Sequence, residues 1–411
     1  MSEACERTIG RSSGAGERTN GRSTDPVTEL RTTAAIRERA RFLLDRARAG
    51  ESAWFTVDDG LLPATAGEVA AVTRSRYPDL DVPFHSRWRH FEAGGVVRGA
   101  EMDAHAMIDL TVVSVLLDAG AGPQWRYAEA ASGLSFTRSE GLGVASWHAF
   151  TEGLFSTDPD QPLRVDAAGL RAVTPELLAG AFQVTADNPL VGLEGRAQLL
   201  CRLGDTLAAN PAIFGATGRP GGIFDVLVGP ERAVSAHAIL SLLLSSLSGI
   251  WLTGSMIGDE ALGDVWHHSA VPGTGASAGW MPFHKLSQWL TYSLLEPFGW
   301  AGVTVTGIDE LTGLPEYRNG GLLLDTGLLR LRDPDAAQRH WSVGDELVVE
   351  WRALTIALLD ELAPLVRVDL GADVPLACVL EGGTWQAGRA TAHRLRDGLP
   401  PLTIISDGTV F

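Results

Sequence analysis

The stretch Ala100–Asp118, AEMDAHAMIDLTVVSVLLD, is apolar on nearly every side at helical spacing and is stopped by Gly120, Gly122 and Pro123. A helix with no polar face has nothing to offer water, so other elements must enclose it. The rest of the chain supplies candidates. Helical patterns cover Thr33–Ala49, which ends at Gly50, a segment opened by Ser139 and Glu140 that runs to Leu154, His237–Trp251, Pro282–Glu296 and Asp345–Val366. Leu200, Leu203 and Leu207 keep the same spacing between Gly195 and the Asn210-Pro211 stop. Strand signals are short: Val303–Thr306, and a terminal pair, Leu402–Ile405 and Thr409–Phe411, around the hairpin dipeptide Asp407-Gly408. No internal repeat is visible. The expected fold is mainly α, a helical globular domain with a few short strands and long glycine-rich loops.

Composition narrows the function classes. The chain has 411 residues, 45% hydrophobic and 20% charged, enough to bury a large core. Residues 1–31 are nearly devoid of apolar side chains and are expected to be a disordered tail, leaving residues 32–411 as a single helical catalytic domain with room for two lobes. Acidic and basic residues balance within the tail, so the net charge of -17 sits on the folded part. That sign argues against nucleic acid as a partner, because phosphate-backbone binding needs clustered Lys and Arg. The longest apolar run, around Ala238–Leu252, is broken by Ser and Gly, so no membrane span is expected. Cys5, Cys201 and Cys378 lie far apart without metal-type spacing. With no signal-peptide core at the N-terminus, they point to a reducing, cytoplasmic setting. A homo-oligomer is left open.

The densest chemistry lies in Pro282–Leu329, PFHKLSQWLTYSLLEPFGWAGVTVTGIDELTGLPEYRNGGLLLDTGLL. Pro282 suits a first helical position and Pro297 a stop. Phe283, Leu286, Leu290 and Leu294 make the apolar stripe of this helix. Lys285, Trp289, Tyr292 and Glu296 line a neighbouring face, flanked by His284 and Gln288. That face is either a solvated surface or a ligand wall, and an aromatic pair favours the wall. The following turn carries Asp309, Glu316, Tyr317 and Arg318. Two carboxylates in one loop can divide into acid and base, with Arg318 holding one ionised. The plainer alternative is a capping Asp309 and a Glu316–Arg318 salt bridge.

Two further segments carry candidate binding residues. In YPDLDVPFHSRWRHFEAGG, His85, Arg87 and Arg89 alternate with aromatics and could bind an anion or stack on a planar group. In Glu381-Gly382-Gly383-Thr384-Trp385, Thr384 is a plausible N-cap and the glycines before it could form an anion or hydroxyl site beside Glu381 and Trp385. Asp187-Asn188-Pro189 reads as a helix cap. Asp264-Val265-Trp266-His267-His268 has no second ligand cluster at matching spacing, so no metal is expected, and no cofactor motif is present.

Several long runs resemble the uracil catabolism protein 4 family of fungi and bacteria: PDLDVPFHSRWRHFEAGG, MIDLTVVSVLLDAGAGPQWRY, ADNPLVGLEGR, FHKLSQWLTYSLLEP, LTGLPEYRNGGLLLD, ELVVEWRALT, LEGGTW and the terminal SDGTVF. The resemblance covers about Thr33 to Phe411. It implies a step in a uracil degradation route in which a uridine derivative is opened and ribosylurea appears. A shorter run, from Leu311-Thr312 through Glu316-Tyr317-Arg318 to Leu323, Gly327 and Leu329, is similar to the queuosine salvage nucleosidases. Those are helical, DNA-glycosylase-like enzymes that cleave an N-glycosidic bond. Their catalytic aspartate corresponds to Glu316 here.

Together the resemblances imply an N-glycosidase that hydrolyses ribosylurea, or its 5-phosphate, to urea and the sugar. Glu316 and Asp309 are the implied catalytic pair. Tyr317, Arg318, His284, Gln288, Trp289, Tyr292, His85, Arg87, Arg89, Glu381 and Trp385 are the implied substrate contacts. A phosphoribosyltransferase or amidohydrolase of the same pathway, or a non-catalytic subunit of the ring-opening enzyme, are the alternatives.

Overall fold

The computed structural model describes residues 25–99 and 102–405. Its helices include α1 (Pro26–Leu30), α2 (Thr33–Arg48), α3 (Leu62–Arg76), α4 (Trp88–Phe91), α5 (Ala104–Leu116), α6 (Arg138–Thr151), α7 (Leu193–Ala209), α8 (Ala236–Leu247), α9 (Lys285–Trp300), α10 (Tyr317–Asp325), α11 (Glu346–Leu370) and α12 (Trp385–Arg396), with further short helices between them. The strands described form only two-stranded pairs, so the fold is mainly α, as the periodicity requires.

Two apolar clusters organise it. In α5 every residue from Ala106 to Leu116 is buried, Asp103 caps the helix by accepting from the Ala106 amide at 2.8 Å, and α6 and α9 pack around it. The second cluster surrounds α11, whose buried residues from Leu347 to Val366 meet α2 on one side and, through Trp351, α10 on another. The residues that link the clusters build the cavity described below.

Several local expectations are corrected. Pro282 does not open the helix: it ends the strand Trp280–Pro282, which pairs with Val265–His267. The helix begins at Lys285, after His284 turns the chain at φ 48°. Pro297 does not stop it, because a proline in the last turn forfeits only one hydrogen bond, and α9 continues to Trp300. Thr384 is not an N-cap. Leu380–Thr384 is a π-helical turn running into α12. Gly382 and Gly383 serve close packing there, since a Cβ on either would strike Thr73 or Val69 of α3. Asn188 caps no helix: its amide donates to the Arg126 and Gln183 carbonyls and its oxygen accepts from the Arg126 amide. The turn of the expected C-terminal hairpin, Asp407-Gly408, lies outside the described residues. Thr403–Ile405 pairs in parallel with His340–Ser342, and Thr409–Phe411 lies outside the described residues. Of the expected tail, residues 1–24 lie outside the described residues. The remainder is helix α1, capped by Asp25, with Val27 and Leu30 buried against Leu262 and Val265.

Helices α10 and α12 pack closely. Gly388 of α12 sits against the Arg318 carbonyl, where any Cβ would overlap it. Gly320 of α10 lies on Trp351, whose indole N–H donates to the Gly320 carbonyl at 3.1 Å. Gly388→Ala is therefore expected to push α10 away and cost about 1–3 kcal/mol, the usual range for overpacking. Chemical denaturation would read this as a lower midpoint, and an unchanged midpoint would mean that the contact relaxes freely.

Candidate active site

Glu316 owes its position to the start of α10. Pro315 and an extended Glu316 (φ -113°, ψ 170°) end the preceding loop. The side chain then turns back as the N-cap: Oε1 accepts from the Asn319 amide and Oε2 from the Arg318 amide, both at 2.6 Å. Asn319 in turn donates to the Leu314 carbonyl at 3.0 Å, which fixes the loop. Burial pushes the Glu316 carboxyl up. The two amides, and the charges of Lys285 and Arg318, work against that. A carboxylate has about four lone-pair positions, so two amide bonds leave it able to face a ligand.

Glu316 opens onto a cavity of about 430 Å³. Its walls come from separate parts of the chain: Lys285 and Trp289 from α9, Glu316, Tyr317 and Arg318 from α10, Asp118 from the glycine-rich turn after α5, Arg138 and Ser139 from the start of α6, Trp385 from α12, and His85 with His90 around α4. Gly398–Pro400, Leu402 and Ile404 close another side. Size and aromatic content suit a small ligand.

Charge inside the cavity is ordered. The Lys285 amide donates to Asp264 at 2.9 Å, which holds the helix start in place. Burial, with Arg352 nearby, brings the Lys285 amine down to about 8. Asp118 meets the fully buried Arg87 at 2.9 Å and accepts from the Ser139 hydroxyl at 3.2 Å. Arg87 also donates to His90 Nδ1 at 3.1 Å. Burial, reinforced by the Arg87 charge, lowers His90 to about 4, so this imidazole is neutral near pH 7. His85 Nδ1 lies 2.8 Å from Glu381, with Trp289 and Trp385 flanking the ring. A second cavity, of about 380 Å³, shares His85, His90 and Trp385 with the first and adds Arg89 and Glu381.

The expected site residues therefore divide. Glu316, Tyr317, Arg318, Trp289, His85 and Trp385 meet at the first cavity, with Glu381 and Arg89 at the second. Arg318 forms no ion pair with Glu316: its guanidinium lies over the Tyr317 ring and donates to the Gly398 carbonyl at 3.2 Å. Asp309 is a correction. It lines neither cavity, and instead receives Arg367 at 2.9 Å and the Leu376 amide at 2.7 Å on an exposed turn.

His284, Gln288 and Tyr292 are also corrected, because α9 is enclosed by protein on nearly every side. His284 Nε2 contacts the Leu30 carbonyl at 2.9 Å. Gln288 accepts from the Thr312 amide at 3.3 Å, and Tyr292 donates to the Thr312 carbonyl at 3.0 Å. All three hold the core behind the site. Arg87 stands behind the wall on Asp118, and Arg89 is held by Glu296 at 2.7 Å and Glu92 at 3.2 Å. Both are therefore already paired with carboxylates.

Asp118, His90, Arg138, Ser139 and Lys285 were not among the expected site residues. Asp118 had one signal, a carboxylate at the end of an otherwise apolar helix before a glycine-rich turn. Among the described residues no group of three or more His, Cys, Asp or Glu could hold a metal ion, and none of their helices is long and apolar enough to cross a membrane. Asp264 and His268, in the run screened for ligands, face different partners, Arg352 and Glu350.

Residues 29–411 match the model of a protein family described as a protein of unknown function, DUF1688. Protein urg3 of Schizosaccharomyces pombe is 38% identical over 412 residues, covering 95% of this chain and 100% of the relative. Uracil catabolism protein 4 of Lachancea kluyveri is 36% identical over 436 residues, covering 94% of this chain and 99% of the relative.

Proposed function

The chain belongs to the DUF1688 family, and one of its relatives is named uracil catabolism protein 4; from that premise we propose that it acts in uracil catabolism as an N-glycosidase that hydrolyses ribosylurea, or its 5-phosphate, to urea and the sugar. The observation that carries the reading is the placing of Glu316 and Lys285 in one cavity walled by Trp289, Tyr317 and Trp385.

Each group has work to do in such a reaction. Breaking the bond between the anomeric carbon and the urea nitrogen leaves positive charge on the sugar. The Glu316 carboxylate, held by two amides and close to the ligand, stabilises that charge. Water supplies the oxygen that bonds to the anomeric carbon, and the proton it sheds replaces the one that the donor gives up. The departing nitrogen takes the bonding pair and gains a proton, so urea leaves neutral.

The donor must be a cationic or acidic group at the cavity. His90 is neutral near pH 7, and Tyr317 is a weaker acid still because burial raises its phenol. The Lys285 ammonium, at about 8, fits the task. Trp289 and Trp385 give the planar urea flat walls. Asp118 and Ser139, tied to each other, offer acceptors for sugar hydroxyls.

A pH prediction follows. Lys285 is protonated below about 8, so turnover should hold on the acidic side of that value and fall as pH rises through it. Lys285→Met should remove both the limb and most of the activity. A turnover profile that stays flat well above this pH would remove Lys285 as the donor. The reaction itself is tested by incubating the purified protein with synthetic ribosylurea and its 5-phosphate. Equimolar urea and reducing sugar support the reading, whereas ammonia supports an amidohydrolase instead.

A further inference from the structure

Arg138 stands apart from the other arginines of the site. Arg87 is spent on Asp118, Arg89 on Glu296, and Arg318 on the Gly398 carbonyl. Arg138 lines the same cavity, and its side chain, among the described residues, makes no hydrogen bond or ion pair. Its backbone is also unusual. It opens α6 at φ 55°, in the left-handed region that side-chain-bearing residues avoid and glycine would occupy freely. An arginine kept there without a partner spends stability and receives no internal contact in return, which is the pattern of a residue retained for a ligand.

The charge around it agrees. Among the described residues that line the cavity, Arg138 adds a guanidinium with no carboxylate partner, in a chain whose net charge is -17. Resting on the N-glycosidase reading, we propose that Arg138 binds a phosphomonoester on the substrate, which makes the 5-phosphate of ribosylurea, rather than the free nucleoside, the compound this cavity takes. The planar guanidinium presents paired N–H donors that match two phosphate oxygens. Trp289 and Trp385 then hold the urea end and Arg138 the phosphate end, with the anomeric carbon between them near Glu316. Arg87 and Arg89, the arginines that the sequence pointed to for an anion, are already neutralised by carboxylates.

The test measures binding and turnover separately, on wild type, Arg138→Met, Arg138→Lys and Arg138→Gly. Binding of ribose 5-phosphate, ribose and inorganic phosphate is read by calorimetry, and turnover is read on ribosylurea with and without its 5-phosphate. Wild type should bind ribose 5-phosphate at least tenfold more tightly than ribose. Arg138→Met should abolish that difference and raise KM for the phosphorylated substrate, leaving the free nucleoside unaffected. Arg138→Lys should recover part of the preference. Arg138→Gly should lose it as well while melting no lower than wild type, a result that a structural role for the guanidinium would not give.

Loss of ribose 5-phosphate binding in Arg138→Met without hydrolysis of either substrate would support the subsite and refute the N-glycosidase reading. Undiminished ribose 5-phosphate binding in Arg138→Met would overturn the proposal. So would inorganic phosphate binding as tightly as ribose 5-phosphate, because that describes a site for a free anion.

Discussion

Glu316→Gln is expected to lower kcat for ribosylurea hydrolysis on the order of 10³-fold, the scale seen when a preorganised electrostatic group is removed from a buried site. The substitution keeps size and shape but removes the charge that, on the N-glycosidase reading, faces the anomeric carbon. KM should change little, since the lost interaction matters most in the transition state. Glu316 is also the cap of α10, accepting from both the Arg318 and Asn319 amides. A glutamine oxygen can serve only part of that role, so a stability loss of about 1 kcal/mol is expected as well. Circular dichroism and a denaturation midpoint separate the two effects. A well-folded Glu316→Gln protein that turns over within a few-fold of wild type would take Glu316 out of the chemistry and leave it as a cap.

The largest loss of stability is expected from Asp264→Ala. Asp264 is 3% exposed and accepts from both ends of the Arg352 guanidinium at 2.9 and 2.7 Å, from the Trp266 indole at 2.7 Å and from the Lys285 amide at 2.9 Å. Breaking such a buried, hydrogen-bonded ion pair by removing one member costs about 3–5 kcal/mol. Its backbone carbonyl also accepts from the Phe283 and His284 amides, so the segment that launches α9 hangs on this residue.

Despite burial, Arg352 and the other donors hold the Asp264 carboxyl down to about 2, below its ordinary 3.8. A lowered value means that this stabilisation is fully present above the unfolded value and is lost as pH falls through the folded one. The wild-type advantage over Asp264→Ala should therefore shrink between about pH 4 and pH 2. Urea midpoints taken along that range would show it. A difference that is small at neutral pH, or that does not narrow on acidification, would mean that the pair is not coupled to folding in this way.

How much of this was legible in the sequence depends on the range of the interaction. Local patterns carried far: the all-apolar run gave the enclosed helix Ala104–Leu116, and the clustering around Glu316-Tyr317-Arg318 pointed to the cavity wall. Lys285 was visible as part of a face with Trp289, though not as the cation of the site. What failed was anything needing two distant segments at once. Asp309 and Glu316 are close in sequence, but Gly313 and Pro315 lie between them, Gly313 pressed against Leu359, and the carboxylates end on different surfaces. Arg87 and Arg89 read as anion binders because their partners, Asp118 after α5 and Glu296 in α9, sit far away in the sequence. Thr384 read as a cap because a π-helical turn leaves no residue signature beyond its glycines. Gln288 and Tyr292 read as ligand contacts because polar and aromatic residues on a helix do not announce that the loop around Thr312 will cover them.

The central claim is that the bond broken joins the sugar to urea. It is tested most directly by supplying ribosylurea 5-phosphate labelled with carbon-13 at the anomeric carbon and at the urea carbonyl, and following both signals by NMR in the presence of the purified protein. The N-glycosidase reading predicts that the anomeric signal moves to that of a free hemiacetal while free urea appears at the same rate, with no ammonia. Ammonia release with the label still joined to nitrogen at the anomeric carbon would contradict it.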